Sequence, residues 1–200
     1  MTVTELRAVT KQKFQVEIDG QPAFVLYKGE LSRCHIEKGR GISPETYREI
    51  TEEILPKRAK MRAMHLLEQG DRTRRGLEDK LLKSGYPPHA AEEALAYVES
   101  FHYIDDKRYA LSYILSQKDK KGKTRIQMEL RRKGVSQEDI DQAFSETEED
   151  TDPRETIREL IRKKKRGEGP IDEKERNRLY GFLMRRGFSS SEILSVLREF

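Results

Sequence analysis

The sequence predicts a mainly α chain: tandem three-helix repeats in an elongated, curved array, preceded by a small N-terminal β-hairpin segment. Three observations carry this expectation. A helix–Gly–helix pattern occurs three times, about fifty residues apart, on Gly85, Gly134 and Gly187. Aligned on those glycines, Leu81, Leu130 and Leu183 stand four residues back, and Leu77, Ile126 and Leu179 eight back. That is the spacing of one buried helical stripe. Residues 1 to about 42 instead alternate apolar and polar side chains around Asp19-Gly20, the strongest short signal for a hairpin. Self-similarity at such a period marks stacked units that bury their apolar faces against neighbours.

Composition agrees. Of 200 residues, 40 are Lys or Arg and 36 are Asp or Glu, the net charge is +4, and Trp is absent. That is too few apolar residues for a typical compact enzyme, but it suits helices that bury one stripe and wet the rest. The single Cys excludes an internal disulfide and a Cys-based metal site, and fits a reducing cytosol. No apolar run approaches the roughly 20 residues of a membrane helix, and no signal-peptide pattern opens the chain. A cytoplasmic monomer with no membrane contact is expected.

The elements follow in order. Phe14, Val16 and Ile18, then Asp19-Gly20, then Ala23 to Tyr27 make the hairpin, and Leu31, Cys34 and Ile36 a further short element. A lone hairpin is marginal in water, so it is expected to pair with another strand or dock on the first helix, covering one end of the array. Ser43-Pro44-Glu45 is a helix start, with Tyr47, Ile50 and Ile54 as its stripe and Pro56 expected to end or kink it. The segment 1–56 is followed by repeat 1 at 57–104, repeat 2 at 105–150 and repeat 3 at 151–200. In repeat 1, a helix from Lys57 to Gln69 places Met61, Met64 and Leu67 on one face. The helices of Leu77 and Leu81, and of Ala91, Ala94, Leu95 and Val98, come next. Pro87-Pro88 stands where the siblings have the caps Ser136 and Ser189. Ser136 and Asp139 have capping-box spacing. Repeat 2 has helices at 106–117, 123–133 and 137–145. Glu146 to Asp152 is an acidic linker. Repeat 3 has helices near 153–166, 172–186 and 190–199, with Gly167-Glu168-Gly169-Pro170 as an inserted turn.

With these patterns in place, the chain from about residue 57 to 200 resembles the RecX family of bacterial recombination regulators. The resemblance rests on the threefold helix–Gly–helix pattern and three ordered motifs. These are Tyr103-x-Asp105-Asp106-x-x-Tyr109-Ala110, Arg125-Ile126-x-x-Glu129-Leu130-x-x-Lys133-Gly134, and Phe182-Leu183-x-Arg185-Arg186-Gly187-Phe188. The β-rich segment before them looks like an N-terminal extension of many members from Gram-positive bacteria. The resemblance implies tandem three-helix repeats, no catalysis, and inhibition of RecA by binding RecA–DNA filaments in the filament groove.

Charge position leads to a similar partner by another route. Between Lys118 and Lys133 there are eight basic residues against Asp119 and Glu129; Lys121 and Lys123 belong to this cluster. Arg162-Lys163-Lys164-Lys165-Arg166 is an unbroken basic run. Such clusters are the electrostatic footprint of phosphate, although a charge run also arises as a solvated helix face. Two residues before the aligned glycines stand Lys83, Arg132 and Arg185, where a cation offsets the helix dipole. Nine before stand Gly76, Arg125 and Arg178, where it does not. Positions seven apart differ by only about 20° around a helix, so Arg125 shares a stripe with Arg132, and Arg178 with Arg185. These two stripes, with Lys121, Lys123 and the run Arg162 to Arg166, are the candidate contacts to a filament or to DNA. Tyr109, Tyr113, Phe144 and Phe188 fall at core spacing, and no exposed Tyr/Phe ladder for stacking single-stranded bases is expected. Single- or double-stranded DNA is therefore expected to be held through phosphates, with little sequence preference.

No constellation for a reaction is found. Asp105-Asp106 reads as a cap with first-turn charge. His35, His65, His89, His102 and Cys34 lack ligand spacing. Ser189-Ser190-Ser191 reads as a cap. Lys121-Gly122-Lys123-Thr124 lacks the upstream Gly and strand of a phosphate loop. No catalytic residue, metal or cofactor is expected. The first functional reading is a negative regulator of RecA filaments that inhibits ATPase, strand exchange and coprotease activity. The second is a general phosphate-contacting DNA-binding helical protein that competes for DNA, and the third a helical adaptor for another partner.

Overall fold

The computed structural model describes residues 1–147, 152–167 and 169–200. Most of the acidic linker, Glu148 to Thr151, and Glu168 of the inserted turn lie outside them. Two compact units are formed, Met1–Ile104 and Asp105–Phe200.

Unit 1 begins with three antiparallel strands in the order β1-β2-β3: β1 (Val3–Ala8), β2 (Lys13–Ile18) and β3 (Gln21–Tyr27). The expected hairpin is β2–β3. Asp19 and Gly20 both have positive φ, 49° and 79°, which matches the turn twist to the strand twist. The hairpin does both things expected of it. β1 is the further strand, and the sheet also shares one core with the helices behind it, Val16, Phe24 and Leu26 packing in the same cluster as Leu55, Leu81 and Ala94.

α1 (Lys28–Arg33) follows, carrying buried Leu31. α2 (Pro44–Arg48) starts at Ser43, whose hydroxyl accepts from the Thr46 amide at 3.1 Å. Pro56, expected to end or kink this helix, does not end it. A π-helical turn, Glu49–Ile54, leads straight into α3 (Leu55–Glu68), with Pro56 in the first turn of α3. A prolyl ring clashes with the carbonyl four residues back. The wider π turn, in which Leu55 N–H donates to the Ile50 carbonyl, spaces that carbonyl differently and lets the chain remain helical.

On α3, Met61 and Met64 lie on a face that points outward, 66% and 37% exposed, while Leu67, expected beside them, packs partly buried against the core. The buried face is Ala59, Ala63 and Leu66. α4 (Arg74–Lys83) and α5 (Pro88–Ser100) complete repeat 1. The joint between sheet and repeat is Arg58. Its guanidinium lies over Tyr27 at 4.3 Å and Tyr86 at 5.6 Å, and donates to Glu30 at 2.8 Å and to the Val25 carbonyl at 3.2 Å.

Unit 2 holds repeat 2, with α6 (Asp106–Gln117), α7 (Lys123–Arg132) and α8 (Gln137–Ser145), and repeat 3, with α9 (Pro153–Lys164), α10 (Glu173–Arg185) and α11 (Ser190–Leu197). The repeating device is the same in all three repeats. Gly85, Gly134 and Gly187 have φ of 88°, 90° and 84°. The next residue, Tyr86, Val135 or Phe188, donates its N–H back to the carbonyl of Leu81, Leu130 or Leu183. This is a Schellman stop, with its apolar partner buried each time. The six stripe residues from Leu77 to Leu183 are at most 1% exposed.

Caps follow the sequence closely. Pro87 gives α5 no side-chain cap. Ser136 accepts from the Asp139 amide at 3.0 Å, but the Asp139 carboxylate takes the Ser136 hydroxyl at 2.6 Å instead of the cap N–H. The reciprocal box forms at Ser189 and Glu192, where the longer Glu side chain reaches the backbone.

Repeats 2 and 3 meet through two turns. Gly122 N–H donates to the Arg186 carbonyl at 2.9 Å, and Arg186 Nη1 donates to the Lys120 carbonyl at 2.6 Å. A Cβ on Gly122 would overlap the Gly187 carbonyl, and one on Gly187 would overlap Arg125. Backbone therefore lies directly on backbone here.

Candidate nucleic-acid interface

α7 starts without a side-chain cap and with cations, Lys123 and Arg125, in its first turn, where the helix dipole disfavours them. Glu129, one turn on and only 8% exposed, offsets this. Its carboxylate accepts from Arg125 Nε at 2.9 Å, Lys121 Nζ at 2.6 Å and the Tyr113 hydroxyl at 2.7 Å. Burial alone would raise its pKa. Hydrogen bonds from Lys121, Tyr113 and Arg125 outweigh that and hold it at about 2. Burial, then the bond to Glu129, pushes the Tyr113 phenol up to about 12. Tyr113 stacks on Tyr109 with centroids 6.2 Å apart, and Lys133 Nζ lies 5.7 Å and 5.4 Å from the two ring centres.

Repeat 3 treats its arginine in a parallel way. Arg178 Nη2 donates to Glu175 at 2.9 Å and to the Lys164 carbonyl at 2.9 Å. The same Glu175 oxygen accepts the Arg166 amide at 2.7 Å, which with Arg178 lowers the Glu175 pKa.

The candidate residues thus form two groups, one on each repeat. Lys121 and Arg125 converge on Glu129, and Arg178, Lys164 and Arg166 meet around Glu175. The dipole does not account for Arg125 and Arg178, but a carboxylate on the same helix does. Their stripe partners Arg132 and Arg185 are exposed and make no ion pair among the described residues. Arg162 pairs with Glu155 at 3.5 Å and Lys163 with Glu159 at 3.0 Å. Lys164 Nζ lies 5.8 Å from the Phe182 ring centre and Lys123 Nζ 5.1 Å from that of Phe144. Lys165 is half-buried and Arg166 exposed. Arg132, Arg185 and Arg166 are therefore the exposed candidates whose charge is least compensated.

Sequence reasoning missed Glu129 as the organising group, although its place beside Leu130 in the stripe was a signal. It also missed an aromatic ladder on unit 1. Tyr97 and Phe101 have ring centroids 5.0 Å apart, and Phe101 and Tyr103 5.7 Å at 18°. Phe101 and Tyr103 are 52% and 48% exposed. The expectation of no exposed ladder is therefore overturned. α5 stops at Ser100, and His102 with φ of 55° turns the chain so that residues two apart share a side, which helical periodicity does not anticipate.

Among the described residues, no helix is long and apolar enough to cross a membrane, and no group of three or more His, Cys, Asp or Glu could hold a metal ion.

Family models for the first, second and third three-helix domains of RecX match residues 59–97, 105–143 and 150–197. A relative from Clostridium acetobutylicum named "Regulatory protein RecX" is 30% identical over 99% of this chain and 95% of its own length. One of the same name from Streptomyces lividans is 36% identical over 86% of this chain and 82% of its own. A crystal structure of regulatory protein RecX shares the fold, with a TM-score of 0.63 at 23% identity over 100% of this chain and 99% of that one.

Proposed function

The chain belongs to the RecX family, and from that premise we propose that it is a non-enzymatic negative regulator of RecA. It binds RecA–DNA filaments in the cytoplasm as a monomer and inhibits their ATPase, strand-exchange and coprotease activities. The supporting observation is the pair Arg132 and Arg185. These are equivalent positions of two repeats, both exposed and both without an ion pair among the described residues. Such cations contact phosphate without reading sequence, and a filament offers its DNA backbone at regular intervals. Arg125 and Arg178, with Lys121, Lys123 and the run Arg162 to Arg166, supply the surrounding positive field.

The test is the single-strand-stimulated ATPase of RecA at two salt concentrations, with this protein added well below the amount that coats the DNA. Strong inhibition that persists at the higher salt is expected. Inhibition only at coating amounts, vanishing with salt, would instead support competition for DNA by a general phosphate binder, the second reading that the same arginines favour. No inhibition in either condition would refute both. In parallel, Arg132→Ala with Arg185→Ala should flatten the salt dependence of single-strand binding by about 1.4 in log–log slope, at about 0.7 per phosphate contact. An unchanged slope would remove these two residues from the interface.

A further inference from the structure

Unit 1 carries an exposed apolar strip that phosphate binding does not use. Tyr103, Phe101 and Tyr97 form a continuous run of rings. Beyond Tyr97 opens a groove of about 330 Å³ between the start of α3 and α5, lined by Met61, Met64, Glu52, Glu53 and Glu93 among others. Met61, Met64, Phe101 and Tyr103 are 66%, 37%, 52% and 48% exposed. Aromatic residues and methionine are the types enriched at the desolvated centres of protein interfaces, and the flexible thioether lets methionine refit to a partner.

The charges around the strip choose among occupants. Lys60 is held by Glu93 at 3.3 Å and lies 5.9 Å from the Tyr97 ring centre. Glu52 and Glu53 are exposed and make no ion pair among the described residues. With Glu93 they outnumber Lys57 and Lys60 in the groove. A phosphate chain would be repelled here, even though the rings themselves could stack bases. A protein segment with an aliphatic side chain beside arginine or lysine fits both halves of the surface. The apolar group enters between the methionines and Tyr97, and the cation reaches Glu52 and Glu53 or lies over the rings.

We propose that this strip is the docking surface for the protein component of the filament, in the form of a basic, aliphatic segment. The inference rests on the regulatory reading above and divides its labour: the strip on unit 1 holds protein, and Arg132 and Arg185 on unit 2 hold phosphate.

Two full-length variants test it, Phe101→Ala with Tyr103→Ala and Glu52→Lys with Glu53→Lys. All four side chains are exposed, and circular dichroism checks that each variant folds. The probes are a RecA filament assembled on a fluorescent oligonucleotide with a non-hydrolysable ATP analogue, and the same oligonucleotide bare. Both variants are expected to weaken filament binding about tenfold or more, and the aromatic variant, which changes no charge, to leave bare-oligonucleotide binding within about twofold. Unchanged filament affinity in both variants would overturn the proposal. So would weaker bare-oligonucleotide binding in the aromatic variant together with stronger binding in the charge-reversed one, because the strip would then be a base-stacking platform. If the unsubstituted protein fails to bind the filament at all, the regulatory reading itself is lost, and this inference with it.

Discussion

Replacing Glu129 by Gln removes the charge that three donors share and keeps the shape of the side chain. Its folded pKa of about 2 against an ordinary 4.5, at about 1.4 kcal/mol per unit, sets a ceiling of about 3 kcal/mol. The side chains of Lys121 and Arg125 are 26% and 43% exposed, so water screens part of this, and about 2 kcal/mol is the expected loss at pH 7. For a unit the size of Asp105–Phe200 that is a fall in melting midpoint of about 10 °C, read by circular dichroism at 222 nm. The pH dependence carries the sign. A carboxylate whose pKa is depressed on folding stabilises fully above its unfolded value and loses that contribution as pH falls through the folded one. The gap between wild type and Glu129→Gln should therefore be full at pH 7 and shrink between pH 4.5 and 2. Equal midpoints at pH 7 would refute the role of the carboxylate. A gap constant down to pH 2 would show that packing, not charge, was lost.

The other predictions concern the same joints. Because folding raises the Tyr113 phenol to about 12, its contribution is complete below pH 10 and lost as pH rises through 12. Absorbance at 295 nm should show a late-titrating tyrosine in the wild type that titrates earlier in Glu129→Gln, where burial still raises it but the bond to the carboxylate is gone. Gly122→Ala should cost about 3 kcal/mol in urea unfolding, since the added methyl meets the Gly187 carbonyl and the Phe188 nitrogen while φ of −75° accepts alanine. Gly169→Ala, with open space around it, should change stability by less than about 0.5 kcal/mol, and equal costs for the two would contradict the backbone contact. Arg58→Lys keeps the charge facing Glu30 but loses the flat stack on Tyr27 and Tyr86, so unit 1 should lose about 1–2 kcal/mol. An unchanged urea midpoint would mean that Arg58 serves only as an ion-pair partner.

What the sequence determined by itself was whatever is local along the chain. The three Schellman stops were legible because a Gly at the left-handed position, a leucine four residues back and an apolar residue just after are all specified within one helical turn. The caps at Ser43, Ser136 and Ser189 and the Asp19-Gly20 turn were legible for the same reason. The tertiary structure decided which of two available faces is covered. Alanine is both a good helix former and small enough for close helix approach, so Ala59 and Ala63 went inward against α5 and left Met61 and Met64 in water. The π turn before Pro56, the burial of Glu129 beneath Lys121, Arg125 and Tyr113, and the ladder turned outward at His102 are of the same kind. Each depends on what packs against a segment from elsewhere in the chain, and a linear pattern carries the period of a helix but not the identity of its neighbour.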